Sequence, residues 1–248
     1  MLVTRPEPEA SAWVDALVSR GVDAVALPLL AIHPVPDQAA LQAALTAAAT
    51  YSAIMWVSPQ AVSYSEAHAW VQASGRCWAP GPGTARALLQ RGVAPSRIDQ
   101  PLADSTQFDA DALWSVVAAQ VHPGHRLLVL RGVSPDGRSG RDDFINRCRA
   151  AGSQVDVCTA YGRGRPVWTT AQRALARQSL HGQAVWLLSS SEAVRYLPQL
   201  LPGVSFHHTR ALVTHPRIAL SAREQGFGEI ITTRPTMDEV VQGLLSCR

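Results

Sequence analysis

Along the whole chain, short apolar runs alternate with amphipathic stretches of ten or more residues. LVTRP (2–6), SAIMWVS (52–58), HRLLVLRG (125–132), QAVWLLSS (183–190) and GEIITTRP (228–235) are such runs, and Gly, Pro, Ser or Thr bound each of them. PEASAWVDALVSRG (8–21), GTARALLQRG (83–92), TTAQRALARQSLHG (169–182) and PRIALSAREQGF (216–227) repeat apolar side chains at helical spacing. This alternation constrains the fold more than any composition does. Parallel strands need long crossovers, the crossovers are right-handed, and their helices then cover both faces of the sheet. The pattern predicts an α/β fold with parallel sheets of flavodoxin or Rossmann type. It also predicts one strand over VDAVALPLLAIHPV (22–35), one helix over PQAVSYSEAHAWVQAS (59–74) and one over SEAVRYLPQLLP (191–202), and strand material in VSFHHTRALVTH (204–215).

Two stretches repeat each other. IMWVSPQAV (54–62) and VWLLSSSEAV (185–194) are both an apolar run, a hydroxyl turn and a helix start, with Ser58 and Ser189 as counterparts. This suggests two similar lobes facing each other across a ligand. AIHPVPD (31–37) and AYGRGRP (160–166) are rich in proline or glycine and suit the crossings between lobes. The expected division is lobe A over 1–30 and 167–248, lobe B over 38–158, and linkers at 31–37 and 159–166. Lobe A is then discontinuous in sequence.

Composition excludes several functions. All 22 basic residues are arginine, so a Schiff-base lysine, a pyridoxal lysine and a Walker A lysine are absent. The net charge of +3 is mild and the arginines are scattered, which gives no nucleic-acid surface. No apolar run approaches the roughly 18–20 residues that cross a bilayer, and MLVTRPEPEA has neither the basic nor the apolar region of a signal peptide. Cys77, Cys148, Cys158 and Cys247 form no CxxC and read as free thiols of a reducing cytoplasm. His122, His125, His207 and His208 read as ordinary histidines, so no metal is expected. GPGTARALL (81–89) lacks the third glycine of a dinucleotide loop, and GxSxG is missing.

Six strand ends share one layout: VTRP (3–6), VSPQ (57–60), PGPGT (80–84), LRGVSPDG (130–137), LSSSE (188–192) and VTHPR (213–217). Small hydroxyls, glycine or proline fill each turn before a helix. Ser and Thr there act as helix N-caps, each stabilising by about 1 kcal/mol, or as ligand contacts. In open parallel sheets ligands bind outside the carboxyl ends of the strands, where helix N-termini favour anions. The candidate substrate-binding residues are Thr4, Arg5, Ser58, Gly83, Thr84, Arg131, Gly132, Arg141, Ser189, Ser190, Thr214 and Arg217. Tyr161 ends the run VDVCTAY at a lobe crossing. Its phenol, with an ordinary pKa of about 10, is a neutral donor at pH 7. Position alone allows a packing tyrosine or a proton donor to a leaving hydroxyl.

The order and spacing of VTRP (3–6), LPLLAIHP (27–34), AIMWVSPQAV (53–62), GPGTARALLQRG (81–92), LLVLRG (127–132), VDVCTAYGR (155–163), WLLSSSEAV (186–194) and ALVTHPRIALSAREQGF (211–227) resemble the uroporphyrinogen-III synthase family over essentially the whole chain. The resemblance implies two α/β lobes joined by a two-stranded ladder. It implies cyclisation of hydroxymethylbilane, a linear tetrapyrrole, with inversion of the last ring and loss of water, and no cofactor. By similarity, Tyr161 matches a tyrosine that assists departure of the hydroxyl, and Ser58, Thr84 and Ser189 match hydroxyls at the rim. The expected partners are the tetrapyrrole and the hydroxymethylbilane synthase that hands it over, with the chain monomeric. At the last turn, where many relatives carry paired threonines, Arg217 and Ile218 stand instead. The competing expectations are a non-catalytic two-lobe module for an anionic ligand and a nucleotide-dependent Rossmann enzyme.

Overall fold

The computed structural model describes residues 1–65, 69–140, 142–182 and 184–246. In chain order its first elements are β1 (Leu2–Val3), α1 (Glu9–Val18), β2 (Val25–Ala26), β3 (Ala31–His33), α2 (Ala39–Thr46), β4 (Ala53–Trp56), α3 (Pro59–Ser63), α4 (Ala69–Gln72), β5 (Arg76–Trp78), α5 (Pro82–Gln90) and β6 (Ile98–Asp99). There follow α6 (Ala110–Val117), β7 (Arg126–Val133), α7 (Asp143–Ala150), β8 (Gln154–Gly164), α8 (Thr170–Gln178), β9 (Val185–Leu188), α9 (Ser191–Arg195), α10 (Leu197–Leu200), β10 (Arg210–Val213), α11 (Pro216–Glu224), β11 (Glu229–Thr232) and α12 (Met237–Leu245). Among the described residues no helix is long and apolar enough to cross a membrane.

The chain divides into two compact units, one formed by Met1–Ile32 with Gly164–Arg248 and the other by His33–Arg163. The α/β class with two parallel sheets and a discontinuous first lobe is therefore borne out. The first unit holds a sheet in the order β2-β1-β9-β10-β11, parallel throughout. The second holds β3-β8-β7-β4-β5-β6, and β8, β7, β4, β5 and β6 run parallel. The neighbouring strands β3 and β8 carry the two passages of the chain from one unit to the other.

In both sheets the winding direction reverses once. From β1 the chain goes outward to β2, then resumes on the other side at β9. From β4 it goes outward through β5 and β6, then resumes at β7. Crevices that bind ligands form at such reversals, outside the carboxyl ends of the strands.

The central strands are continuous apolar runs because both faces are covered. In the five-stranded unit, Trp186 and Leu188 of β9 pack with Ala211, Val213, Phe206 and Phe227 on one face. Val185 and Leu187 pack with Val3, Leu17 and Val240 on the other. The period of two along β9 sends alternate side chains to opposite layers. Each fully buried large aliphatic there contributes about 1.5–3 kcal/mol. In the six-stranded unit, Ala53, Met55, Leu127, Val129 and Val155 pack under Leu113 and Val117 of α6 and Phe144, Ile145 and Cys148 of α7.

Three expectations about elements are corrected. The run 22–35 is not one strand, because β2 and β3 belong to different sheets. Pro28 has no N–H to continue a ladder, and its carbonyl accepts the indole N–H of Trp168 at 2.8 Å. The stretch 59–74 is not one helix. α3 stops at Ser63, and the buried Ser65 hydroxyl donates to the Ala61 carbonyl at 2.7 Å, satisfying a terminal acceptor from the side chain. Similarly, 191–202 divides into α9 and α10, with Pro198 inside the second.

Candidate active site

Three strand-to-helix turns use the same local chemistry. Ser58 precedes Pro59, Gly81 precedes Pro82, and His215 precedes Pro216, with proline in the first turn of α3, α5 and α11. Proline costs no hydrogen bond there, since the first N–H groups of a helix have no intrahelical partner. Each capping residue is extended, which aims the helix N-terminus outward from the end of its strand. Ser58 Oγ accepts the Ala61 N–H at 3.2 Å, and His215 Nδ1 accepts the Arg217 N–H at 3.1 Å.

In the six-stranded unit the reversal falls between β4 and β7, and the candidate residues gather there. Ser58 lies just past β4 and Gly132 lies near the end of β7. Tyr161 lies opposite Gly132 on β8. The register of β7 and β8 shifts at this point: Arg131 pairs with Thr159 and Gly132 with Tyr161, so Ala160 is an extra residue. Such a bulge re-aims the side chain that follows it. Ala160 and Tyr161 are both buried, out of step with strand alternation. The Tyr161 hydroxyl meets the Ser58 hydroxyl at 2.8 Å. The Tyr64 ring lies alongside, its centroid 6.1 Å from that of Tyr161.

The neighbouring helix start completes this edge. Gly83 is exposed and its α-carbon faces Pro59, where a Cβ would come within 3.5 Å of the proline Cγ. Thr84 is buried on the inner side of α5. Arg131 is paired with Asp142, a partner not anticipated from the sequence. Arg163 donates to Ser134 Oγ at 3.3 Å and to the Arg138 carbonyl at 3.4 Å, which ties β8 to the loop after β7. Arg141 lies outside the described residues.

In the five-stranded unit the reversal falls between β1 and β9. Thr4 is buried and its hydroxyl donates to the Leu187 carbonyl at 2.6 Å, fastening β1 to β9. Arg5 turns back onto α1, bonding Glu9 at 3.1 Å with its guanidinium carbon 4.2 Å from the Trp13 ring centre. Ser190, not Ser189, caps α9 by accepting the Ala193 N–H at 3.3 Å. Ser190 is thus the structural counterpart of Ser58, which corrects the pairing with Ser189. Thr214 is buried at the end of β10, and its N–H donates to the Leu188 carbonyl at 3.2 Å. Arg217 is exposed at the start of α11.

Sequence reasoning missed Tyr64, Asp142 and the cap by His215. Only the last had a local signal, the residue–proline step shared with Ser58-Pro59 and Gly81-Pro82. A perturbed phenol lies elsewhere. The Tyr51 phenol is pushed up by burial and then by its hydrogen bond to Asp156, 2.9 Å away, but it lies before β4, at the amino edge of the sheet. Among the described residues no cluster of His, Cys, Asp and Glu fits a metal ion.

The six-stranded unit therefore offers a buried phenol bonded to a capping serine at a sheet reversal, beside the N-terminus of α5. These can deliver a proton and bind anions. A uroporphyrinogen III synthase from Thermus thermophilus, a selenomethionine triple mutant, has a similar fold, with a TM-score of 0.55 at 15% identity over 99% of this chain and 97% of that one. A uroporphyrinogen-III synthetase from Helicobacter pylori matches with a TM-score of 0.60 at 12% identity over 92% of this chain and 94% of that one. The family profile described as uroporphyrinogen-III synthase HemD matches residues 11–242. With nearly the whole chain inside that match, this protein belongs to the uroporphyrinogen-III synthase family.

Proposed function

We propose that this chain closes hydroxymethylbilane into uroporphyrinogen III, inverting the last ring and releasing water, with Tyr161 as the proton donor. The observation that carries the reading is the Ser58–Tyr161 hydroxyl pair at the reversal of the six-stranded sheet, in a chain of this family. The hydroxyl on the terminal methylene leaves poorly by itself. A proton from Tyr161 Oη converts it to water as the C–O bond breaks. The electron pair leaves with the water, and the methylene carbon becomes an azafulvenium cation. The last ring attacks that carbon at its substituted position and rearranges through a spiro intermediate.

Positioning supplies much of the acceleration, since both reacting ends belong to one flexible molecule. The N-termini of α5 and α11, and arginine where its guanidinium is accessible, suit the carboxylates of the substrate. Arg217 at the start of α11 takes a carboxylate where relatives carry threonine. The buried Thr4, Thr84 and Thr214 support the strand ends and helix start rather than touch a ligand, and Ser189 and Gly83 border the substrate. The reading needs no cofactor. It includes a cytoplasmic location, action as a monomer and receipt of the substrate from hydroxymethylbilane synthase.

The test is incubation with freshly prepared hydroxymethylbilane. The type III isomer is expected, and formation of the symmetric type I isomer alone overturns the reading. Tyr161→Phe keeps the ring and removes the donor, so kcat falls by about 100-fold with KM little changed. Unchanged turnover would remove Tyr161 from the chemistry.

A further inference from the structure

We infer that Gly132 and Ser58 are positioning residues for the Tyr161 phenol, Gly132 through the space it leaves and Ser58 through the proton it orients. The inference rests on the donor role proposed above for Tyr161.

Gly132 is glycine because of the ring. It is not among the glycines with positive φ, so its backbone is open to other residues. A Cβ at this position would lie 2.4 Å from Cε2, 2.5 Å from Cζ and 3.0 Å from Cδ2 of Tyr161. Carbon atoms pack at about 3.5–4.0 Å, so the ring would have to withdraw by about 1 Å. Its hydroxyl lies 2.8 Å from Ser58, and a displacement of that size moves the phenol out of its aligned position against Ser58. The register shift at Ala160 and the bare α-carbon of Gly132 therefore act together: one turns the side chain, the other gives it room.

Ser58 is held from the other side. Its oxygen accepts the Ala61 N–H, which leaves one proton and one lone pair for Tyr161. While the phenol keeps its proton, either oxygen can donate. Once that proton has passed to the departing hydroxyl, the phenolate only accepts, and the Ser58 O–H turns toward it. A donor to the charged form stabilises that form. The bond thus strengthens as charge develops, so it raises kcat rather than substrate affinity. The α-proton lost when the last pyrrole ring regains its aromaticity restores the phenol.

The experiment is a double-mutant cycle on the full chain with hydroxymethylbilane. Gly132→Ala is expected to lower kcat by about 100-fold, the cost of a 1 Å misplacement, with KM within about twofold. Ser58→Ala is expected to lower kcat by about tenfold, as for one lost hydrogen bond. In a Tyr161→Phe background neither change should lower kcat further. A loss as large in that background as in the wild type overturns the inference while leaving the donor role intact. Full turnover by Tyr161→Phe alone would instead sink the donor role, and this inference with it. Near-UV circular dichroism checks folding. Should Gly132→Ala not fold, the Ser58→Ala arm of the cycle still decides the outcome for Ser58. For Gly132 the double variant Gly132→Ala with Tyr161→Leu, in which the ring is gone, is then expected to regain the near-UV signal. Failure to regain it would mean that the methyl group meets something other than the ring, and would overturn the role given to Gly132.

Discussion

At Ser190 a single hydroxyl governs how β9 passes into α9, and its neighbour Ser189 makes no such bond. Ser190→Ala should lower stability by about 1 kcal/mol in urea unfolding, whereas Ser189→Ala should change it by less than about 0.5 kcal/mol. Equal losses would mean that both serines support the turn. His125 makes a separate, pH-dependent prediction. Its Nδ1 is buried without a hydrogen-bond partner, its ring lies 6.3 Å from that of Trp78, and the His122 ring lies 5.0 Å away. Burial, and then the charge of His122, lower its pKa below the ordinary 6.5. The unfolded chain therefore takes up this proton first as pH falls, so stability is lost as pH drops through about 6.5. His125→Phe should flatten the decline in urea midpoint between pH 7.5 and 5.5, and an unchanged slope would discard His125 as a contributor. At this scale Ser58 and Tyr161 were both legible as strand-end hydroxyls. Their bond was not, because it joins residues 103 apart through a one-residue register shift that leaves no mark on the apolar pattern.

Elements were legible where one local rule acted alone. The capping box of Thr169 and Gln172 starts α8, and the Asp109 side chain caps α6 by accepting the N–H groups of Asp111 and Ala112, both at 3.0 Å. They were illegible where a tertiary partner intervened, as where Pro28 and Trp168 divide the apolar run 22–35 between two sheets. The connection after α4 is another such case. Arg97 donates to the carbonyls of Gly75 at 2.9 Å, Val71 at 2.5 Å and Trp70 at 3.4 Å, gathering the chain between α4 and β5 around one guanidinium. Three main-chain acceptors converge on a planar fork that lysine cannot reproduce. Arg97→Ala should cost about 2–3 kcal/mol in urea unfolding, and Arg97→Lys should recover less than half of that. A loss below about 0.5 kcal/mol would show that solvent replaces the guanidinium at these carbonyls.

For the whole molecule, alternating strands and helices dictate parallel sheets, but not which strands are neighbours. β1 joins β9 because hydrophobic faces from opposite ends of the sequence complete one core, and that choice is not local. It has a consequence for fragments. The core of the six-stranded unit, from Ala53 to Val155, draws on a continuous segment. The cores of the five-stranded unit mix Leu2, Val3, Leu17, Leu27 and Leu29 with residues from Trp168 to Val240. A fragment spanning 33–163 should therefore keep a cooperative urea transition and its near-UV signal. A fragment spanning 164–248 lacks β1 and β2, which leaves the β1-facing edge of β9 unpaired and both layers around Trp186 open to water. It should show no cooperative transition, and its tryptophan emission should lie at the wavelength of exposed indole. Adding the 1–32 peptide should shift that emission to the blue, since Val3 and Leu17 fill one layer and Leu27 and Leu29 the other. Cooperative folding of 164–248 alone, or the absence of a transition in 33–163, would mean that the cores do not divide stability as their residues divide the sequence.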